Sequence, residues 1–194
     1  MTRLGVLYPP AGAEHEYYRH GECLGDDVRI NLVGVRIFGD DDEHAPRHLR
    51  RTAALDNLET SADALAPVAP DAAVWACTSA SFIDGLGHAR AQAATLADRL
   101  GCPATSTSLA FVDALAHLGA ERVTVLASYP AATTAAFADL LEAAGIGVAD
   151  TQSLAAPSGP AAARIAPTEF AAAARDATAA DALLIPDTAV PTLD

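Results

Sequence analysis

Two short runs in this sequence end on residues that can exchange protons. Asp71-Ala72-Ala73-Val74-Trp75-Ala76 leads into Cys77-Thr78-Ser79, and Asp181-Ala182-Leu183-Leu184-Ile185-Pro186 leads into Asp187-Thr188. The runs align without a gap, so Asp71 matches Asp181, Cys77 matches Asp187 and Thr78 matches Thr188. A thiol can act as nucleophile or as acid and base. A carboxyl group can give or take a proton when burial raises its pKa toward neutrality. Set on opposite walls of one cleft, such a pair suits adding a proton on one face of a carbon and removing it on the other. The plain alternatives are that Cys77 is a small buried hydrophobe and that Asp187 caps a following helix.

The elements that must position these residues are short strands. Ala72–Ala76 has no polar interruption and reads as a buried strand, as does Ala182–Ile185. Cys77 then lies at a strand's carboxyl end, before a helix start at Ala80-Ser81-Phe82, where ligands bind in α/β proteins. The helix dipole there is expected to favour a thiolate and anionic substrate oxygens. The repeat extends to the strand openings. Arg3-Leu4-Gly5-Val6-Leu7-Tyr8-Pro9 is similar to Arg122-Val123-Thr124-Val125-Leu126 with Tyr129-Pro130 beyond it. The chain reads as two copies of one α/β unit with parallel sheets, 1–118 and 119–194. The second copy stops soon after Asp187, so the expectation is a C-terminally truncated second lobe. Between the strands, Pro46–Leu65 reads as one helix, and the acidic run Gly39–His44 as a solvated loop.

Composition narrows the classes. Of 194 residues 51% are hydrophobic, enough for a sizeable core, while the net charge of −13 argues against nucleic acid and anionic membranes as partners. Cys23, Cys77 and Cys102 form no CxxC and no even framework, which with the absence of a leader-like segment points to a cytoplasmic protein. Cys23 and Cys102 have no counterpart in the repeat and read as structural. The histidines His15, His20, His44, His48, His88 and His117 fall in polar helices or loops and form no zinc-like cluster. Dinucleotide, serine-hydrolase and P-loop spacings are missing.

Gly5-Val6-Leu7 leading into Pro9-Pro10-Ala11, the loop Ala76–Phe82, Thr105-Ser106-Thr107-Ser108, the turn Ser128-Tyr129-Pro130 and Leu184-Ile185-Pro186-Asp187-Thr188 together resemble the aspartate/glutamate racemase superfamily. The branch they are most similar to holds maleate cis-trans isomerase and arylmalonate decarboxylase. The resemblance implies two pseudo-symmetric Rossmann-like lobes with the active site in the cleft between them, and no cofactor or metal. It implies that Cys77 is nucleophile or base. Thr78, Ser79 and Tyr129 would hold a substrate carboxylate, with Thr188 beside them and Pro9 and Pro10 lining the pocket. Asp187 stands where the family has its second cysteine. The first loop and the loop near Ser158-Gly159 lack the asparagines of the isomerases.

The expected activity is cofactor-independent chemistry on a small carboxylate or dicarboxylate, isomerase-like because Cys77 is in place. The alternatives are an arylmalonate decarboxylase-like reaction, suggested by the Pro-Pro-Ala loop, an amino-acid or hydantoin-type racemase, and a catalytically lapsed carboxylate-binding protein. Nothing in the sequence decides between a monomer and a homo-oligomer.

Overall fold

The computed structural model describes residues 1–10 and 12–190. Ala11 of the proline loop and residues 191–194, at the end of the expected second lobe, lie outside the described residues. In chain order the elements are β1 (Thr2–Tyr8), α1 (Glu14–Cys23), β2 (Val28–Gly34), α2 (Pro46–Thr52), α3 (Leu55–Leu65) and β3 (Ala72–Trp75). They continue with α4 (Thr78–Phe82), α5 (Gly85–Leu100), β4 (Ala104–Ser106), α6 (Thr107–Leu118), β5 (Arg122–Ala127) and α7 (Ala131–Ala143). The last are β6 (Gly147–Ser153), α8 (Gly159–Ala162), α9 (Pro167–Arg175) and β7 (Ala182–Leu184).

Two parallel sheets result, β2-β1-β3-β4 and β6-β5-β7. The repeat seen in sequence becomes the same strand order in both. Its aspartates explain why. Asp71 accepts the Arg3 N–H at 2.7 Å and returns its own N–H to the Arg3 carbonyl. Asp181 accepts the Glu121 and Arg122 N–H groups at 2.9 Å and returns its N–H to Arg122. Each aspartate fixes where the third strand starts against the first. The carboxyl ends of β3 and β7, three residues or fewer from Cys77 and Asp187, are thereby set at matching heights.

β1 is central and covered on both sides, so Val6, Leu7 and Tyr8 are all buried. Gly5 is required by close approach. A Cβ there would meet Leu65 Cδ2 at 2.5 Å and Pro70 Cβ at 3.2 Å. The main core is continuous across both sheets, running from Leu7, Trp75, Phe82 and Leu96 to Val125, Phe137 and Leu140. Phe82 bridges the halves, with its ring 5.1 Å from Phe137 and 5.6 Å from Tyr129.

The expected single helix over Pro46–Leu65 is two. Ala54 is extended (ψ 138°), and the break is held by side chains from elsewhere. Gln92 and His88 donate to the Ala53 carbonyl, while Asn57 donates to the carbonyls of Thr52 and Arg36. Tertiary partners for freed carbonyls outweigh local helix propensity.

Candidate active site

Cys77 directly follows β3, with its sulfur 3.8 Å from the Ser79 hydroxyl. The loop is braced from behind. Ser81 and Ser108 both donate to the Thr78 carbonyl, at 2.9 and 3.2 Å. This gives the hydroxyl-rich run Thr105–Ser108 a positioning role. Asp187 follows β7, where Ser128 donates to one carboxylate oxygen at 2.5 Å and the Ala189 N–H donates to the other at 2.9 Å. The second bond is the local cap expected as the plain reading of Asp187, and it coexists with the first.

The two copies exchange contacts through equivalent residues. The Tyr8 hydroxyl donates to the Thr188 carbonyl at 3.2 Å. Tyr129, the counterpart of Tyr8, lies against Thr78 and Ser79, the counterpart side. It is fully buried, and neither its hydroxyl nor that of Thr78 reaches good hydrogen-bond geometry, while Thr78, Ser79 and Asp187 stand close around the Tyr129 hydroxyl. Two buried hydroxyls short of good geometry carry a free-energy cost that an incoming acceptor would relieve. Thr188 differs, since its hydroxyl is committed to the Ala76 carbonyl at 3.0 Å.

Cys77 and Asp187 line different cavities. Cys77 and Ser79 share a cavity of about 40 Å³ with Pro9, Pro10, Glu43 and His44. Thr78, Asp187 and Thr188 line one of about 250 Å³ with Glu16, Tyr17 and Phe111. The first holds little more than one water, whose share of the liquid is about 30 Å³. Larger grooves of about 690 and 620 Å³ lie on the outer faces and touch none of these residues. Neither inner cavity is lined by Lys or Arg among the described residues.

Burial works against the thiolate expected at the strand end. Burial pushes the Cys77 thiol up to about 12, outweighing the Ala80 N–H and the Ser79 hydroxyl, and the nearby Asp187 adds to the rise. α4 is only five residues long, too short for a strong dipole. Burial also raises the Asp187 carboxyl above its ordinary range, against the charge that His44 carries when protonated and the nearby donors of Ser128, Ala189 and Tyr129. Tyr129 is raised by burial and then by Asp187 and Cys77, so these three groups share one electrostatic environment. The resting site is a neutral thiol beside a carboxyl that resists ionisation.

His44, Ser128 and Tyr17 are neighbours of the candidate residues to which sequence reasoning gave no role. His44 comes from the supposedly solvated loop but is 5% exposed, with its ring edge-on to Tyr129 at 4.9 Å. Tyr17 is raised to about 12 by burial first and by Cys77 next. Ser128 alone had a signal, its place beside Tyr129 in the turn.

A family model for arylmalonate decarboxylase matches residues 50–194. The chain belongs to the arylmalonate decarboxylase family. The fold of this family member is similar to several solved structures. The maleate isomerase of Pseudomonas putida S16 with maleate superposes with a TM-score of 0.84 at 21% identity, over 98% of this chain and 80% of that one. A cysteine-to-serine mutant of the Nocardia farcinica maleate cis-trans isomerase, with a covalently bound succinylcysteine intermediate, gives 0.85 at 21% over 98% and 80%. A doubly substituted, liganded arylmalonate decarboxylase gives 0.82 at 21% over 99% and 80%. No curated protein matches the sequence. Two-lobed α/β architecture with parallel sheets is therefore the fold of this family member. No helix among the described residues is long and apolar enough to cross a membrane.

Proposed function

We propose that this family member is a cofactor-independent isomerase of small unsaturated carboxylic acids, with Cys77 and Asp187 as the reacting pair. The observation that carries the reading is that Cys77 and Asp187 follow equivalent strands and act electrostatically on one another and on Tyr129, with the Tyr129 and Thr78 hydroxyls buried beside them. The substrate carboxylate takes those hydroxyls and Ser79, while Pro9 and Pro10 line the wall and Thr188 holds the two strand ends together. Fixed donors around a developing enediolate supply the electrostatic stabilisation. The sulfur of Cys77 bonds to one alkene carbon as its proton leaves to a base. The alkene electron pair takes a proton from Asp187 at the other carbon. Rotation about the new single bond and the reverse steps expel the sulfur, restoring the double bond in the other geometry. The succinylcysteine found on the Nocardia farcinica enzyme is an adduct of this type.

Decarboxylation is the second reading, favoured by the family match and by the apolar residues Pro9, Ile37 and Leu49 around the thiol's cavity. There a malonate-type acid loses CO2, the bond pair stays as an enediolate, and Cys77 protonates its carbon.

Incubation in D2O with maleate, arylmalonates and their monoanionic analogues, followed by NMR, tests both. The monoanions belong in the panel because no cation lines either cavity. Trans product lost in Cys77→Ala and Asp187→Asn supports the isomerase. Deuterated monoacid with CO2 release supports the decarboxylase, and label at an otherwise unchanged stereocentre a racemase. Binding without label or product would sink the enzymatic readings and leave a carboxylate-binding protein.

A further inference from the structure

The proposed chemistry leaves one proton without a destination, because the Cys77 thiol is neutral at rest. In the proposed chemistry Asp187 is the donor to carbon and so is not that destination. Two other titratable groups line the cavity of Cys77 and Ser79, Glu43 and His44, and of the two it is His44 that also acts on the Asp187 carboxyl. Its Nδ1 is 3.0 Å from the Ala156 carbonyl. A carbonyl only accepts, so Nδ1 carries the hydrogen and Nε2 has the free lone pair. No described residue hydrogen-bonds Nε2.

The histidine is held as rigidly as a base must be. Its backbone N–H donates to the Pro157 carbonyl at 2.9 Å, and Thr133 donates to the His44 carbonyl at 2.7 Å. The ring packs edge-on against Tyr129. Three elements bring groups to it: Cys77 follows β3, Tyr129 follows β5, and Asp187 follows β7. On its own loop Glu43 lines the same cavity, while Asp42 is turned to Arg47 and His48.

We infer that His44 is the base of this site, taking the Cys77 proton on Nε2 when the sulfur bonds to substrate and returning it when that bond breaks. The account balances. Neutral thiol, imidazole and carboxylic acid become a C–S bond, an imidazolium and a carboxylate, with Asp187 as the counter-ion of His44. The inference rests on the Cys77–Asp187 reading of the site.

The test reads the thiol itself and needs no turnover. In a Cys23→Ser, Cys102→Ser background, the rate at which methyl methanethiosulfonate modifies Cys77 is followed from about pH 6 to 9. His44→Asn keeps a donor where Nδ1–H stands but has nothing at Nε2, so it separates positioning from proton transfer. A base at His44 predicts a roughly tenfold or greater slowing in His44→Asn near neutrality, with loss of the neutral-pH limb of the profile. His44→Gln is expected to slow it likewise, and circular dichroism shows which variant is folded. Wild-type rates in either folded variant would overturn the inference. The product assay is separate. Slowed thiol chemistry without any product would remove the isomerase reading and leave the Cys77–His44 pair. Isomerisation with an unaffected thiol would do the reverse.

Discussion

Thr188 donates its hydroxyl to the carbonyl of Ala76 across 3.0 Å. The bond joins the end of β7 to the end of β3, and its two residues are the immediate neighbours of Asp187 and Cys77. It holds the two groups proposed to react at a set separation, at a point where the main chains belong to different sheets.

Thr188→Val keeps the shape and removes that donor. The expected cost is about 1 kcal/mol in chemical denaturation, since the freed Ala76 carbonyl loses its partner. Turnover should fall by about tenfold, because small displacements of reacting groups are amplified in rate. A variant with wild-type turnover would show that the bond does not position the pair.

Asp187→Asn separates activity from stability. The rate of product formation should fall by about a hundredfold or more, as expected for loss of a positioned acid. Stability moves the other way with pH. The folded carboxyl is raised by burial, so its contribution is present below the unfolded value, near 3.9, and lost as pH rises through the folded one. The asparagine does not ionise. Its Tm relative to wild type should therefore be higher at pH 8 than at pH 4, in scanning calorimetry.

Gly5→Ala tests the packing of β1. The added Cβ meets Leu65, which is fully buried and has nowhere to retreat, with Pro70 close behind. Overpacking of this kind costs about 1–3 kcal/mol in urea unfolding. An unchanged midpoint would mean that α3 shifts freely against β1.

Asp71→Asn and Asp181→Asn should behave alike, because the two residues do the same job in the two sheets. The Arg3 N–H at Asp71, and the Arg122 and Glu121 N–H groups at Asp181, lower both carboxyls in the folded state. Their contribution is present above the unfolded carboxylate value and is lost as pH falls through the depressed one. Both variants should melt below wild type at neutral pH, and the gap should close in acid. A gap that persists at low pH would assign the effect to shape instead of charge.

Much of this molecule was legible in the chain because its signals are local or repeated. The gap-free match of Asp71–Thr78 with Asp181–Thr188 located both strand ends, and the aspartates heading each run proved to set strand placement. Tyr129 was legible through its Tyr-Pro pairing with Tyr8. The helix break at Ala53-Ala54 was not, since Gln92 and Asn57, distant or turned back in sequence, decide it. Nor was His44, whose acidic surroundings Gly39–Glu43 read as solvent-facing.

The sequence by itself determined the alternation of strand and helix, the doubling of the unit and the placing of Cys77 and Asp187 at equivalent ends. Those follow from short-range hydrophobic patterning and turn chemistry. Only the tertiary structure decided that Cys77 is a neutral thiol, that its cavity is separate from that of Asp187, and that His44 turns inward against Tyr129. Desolvation and cavity shape depend on which atoms from distant segments exclude water. That is a property of the packed chain, and no stretch of it encodes the result alone.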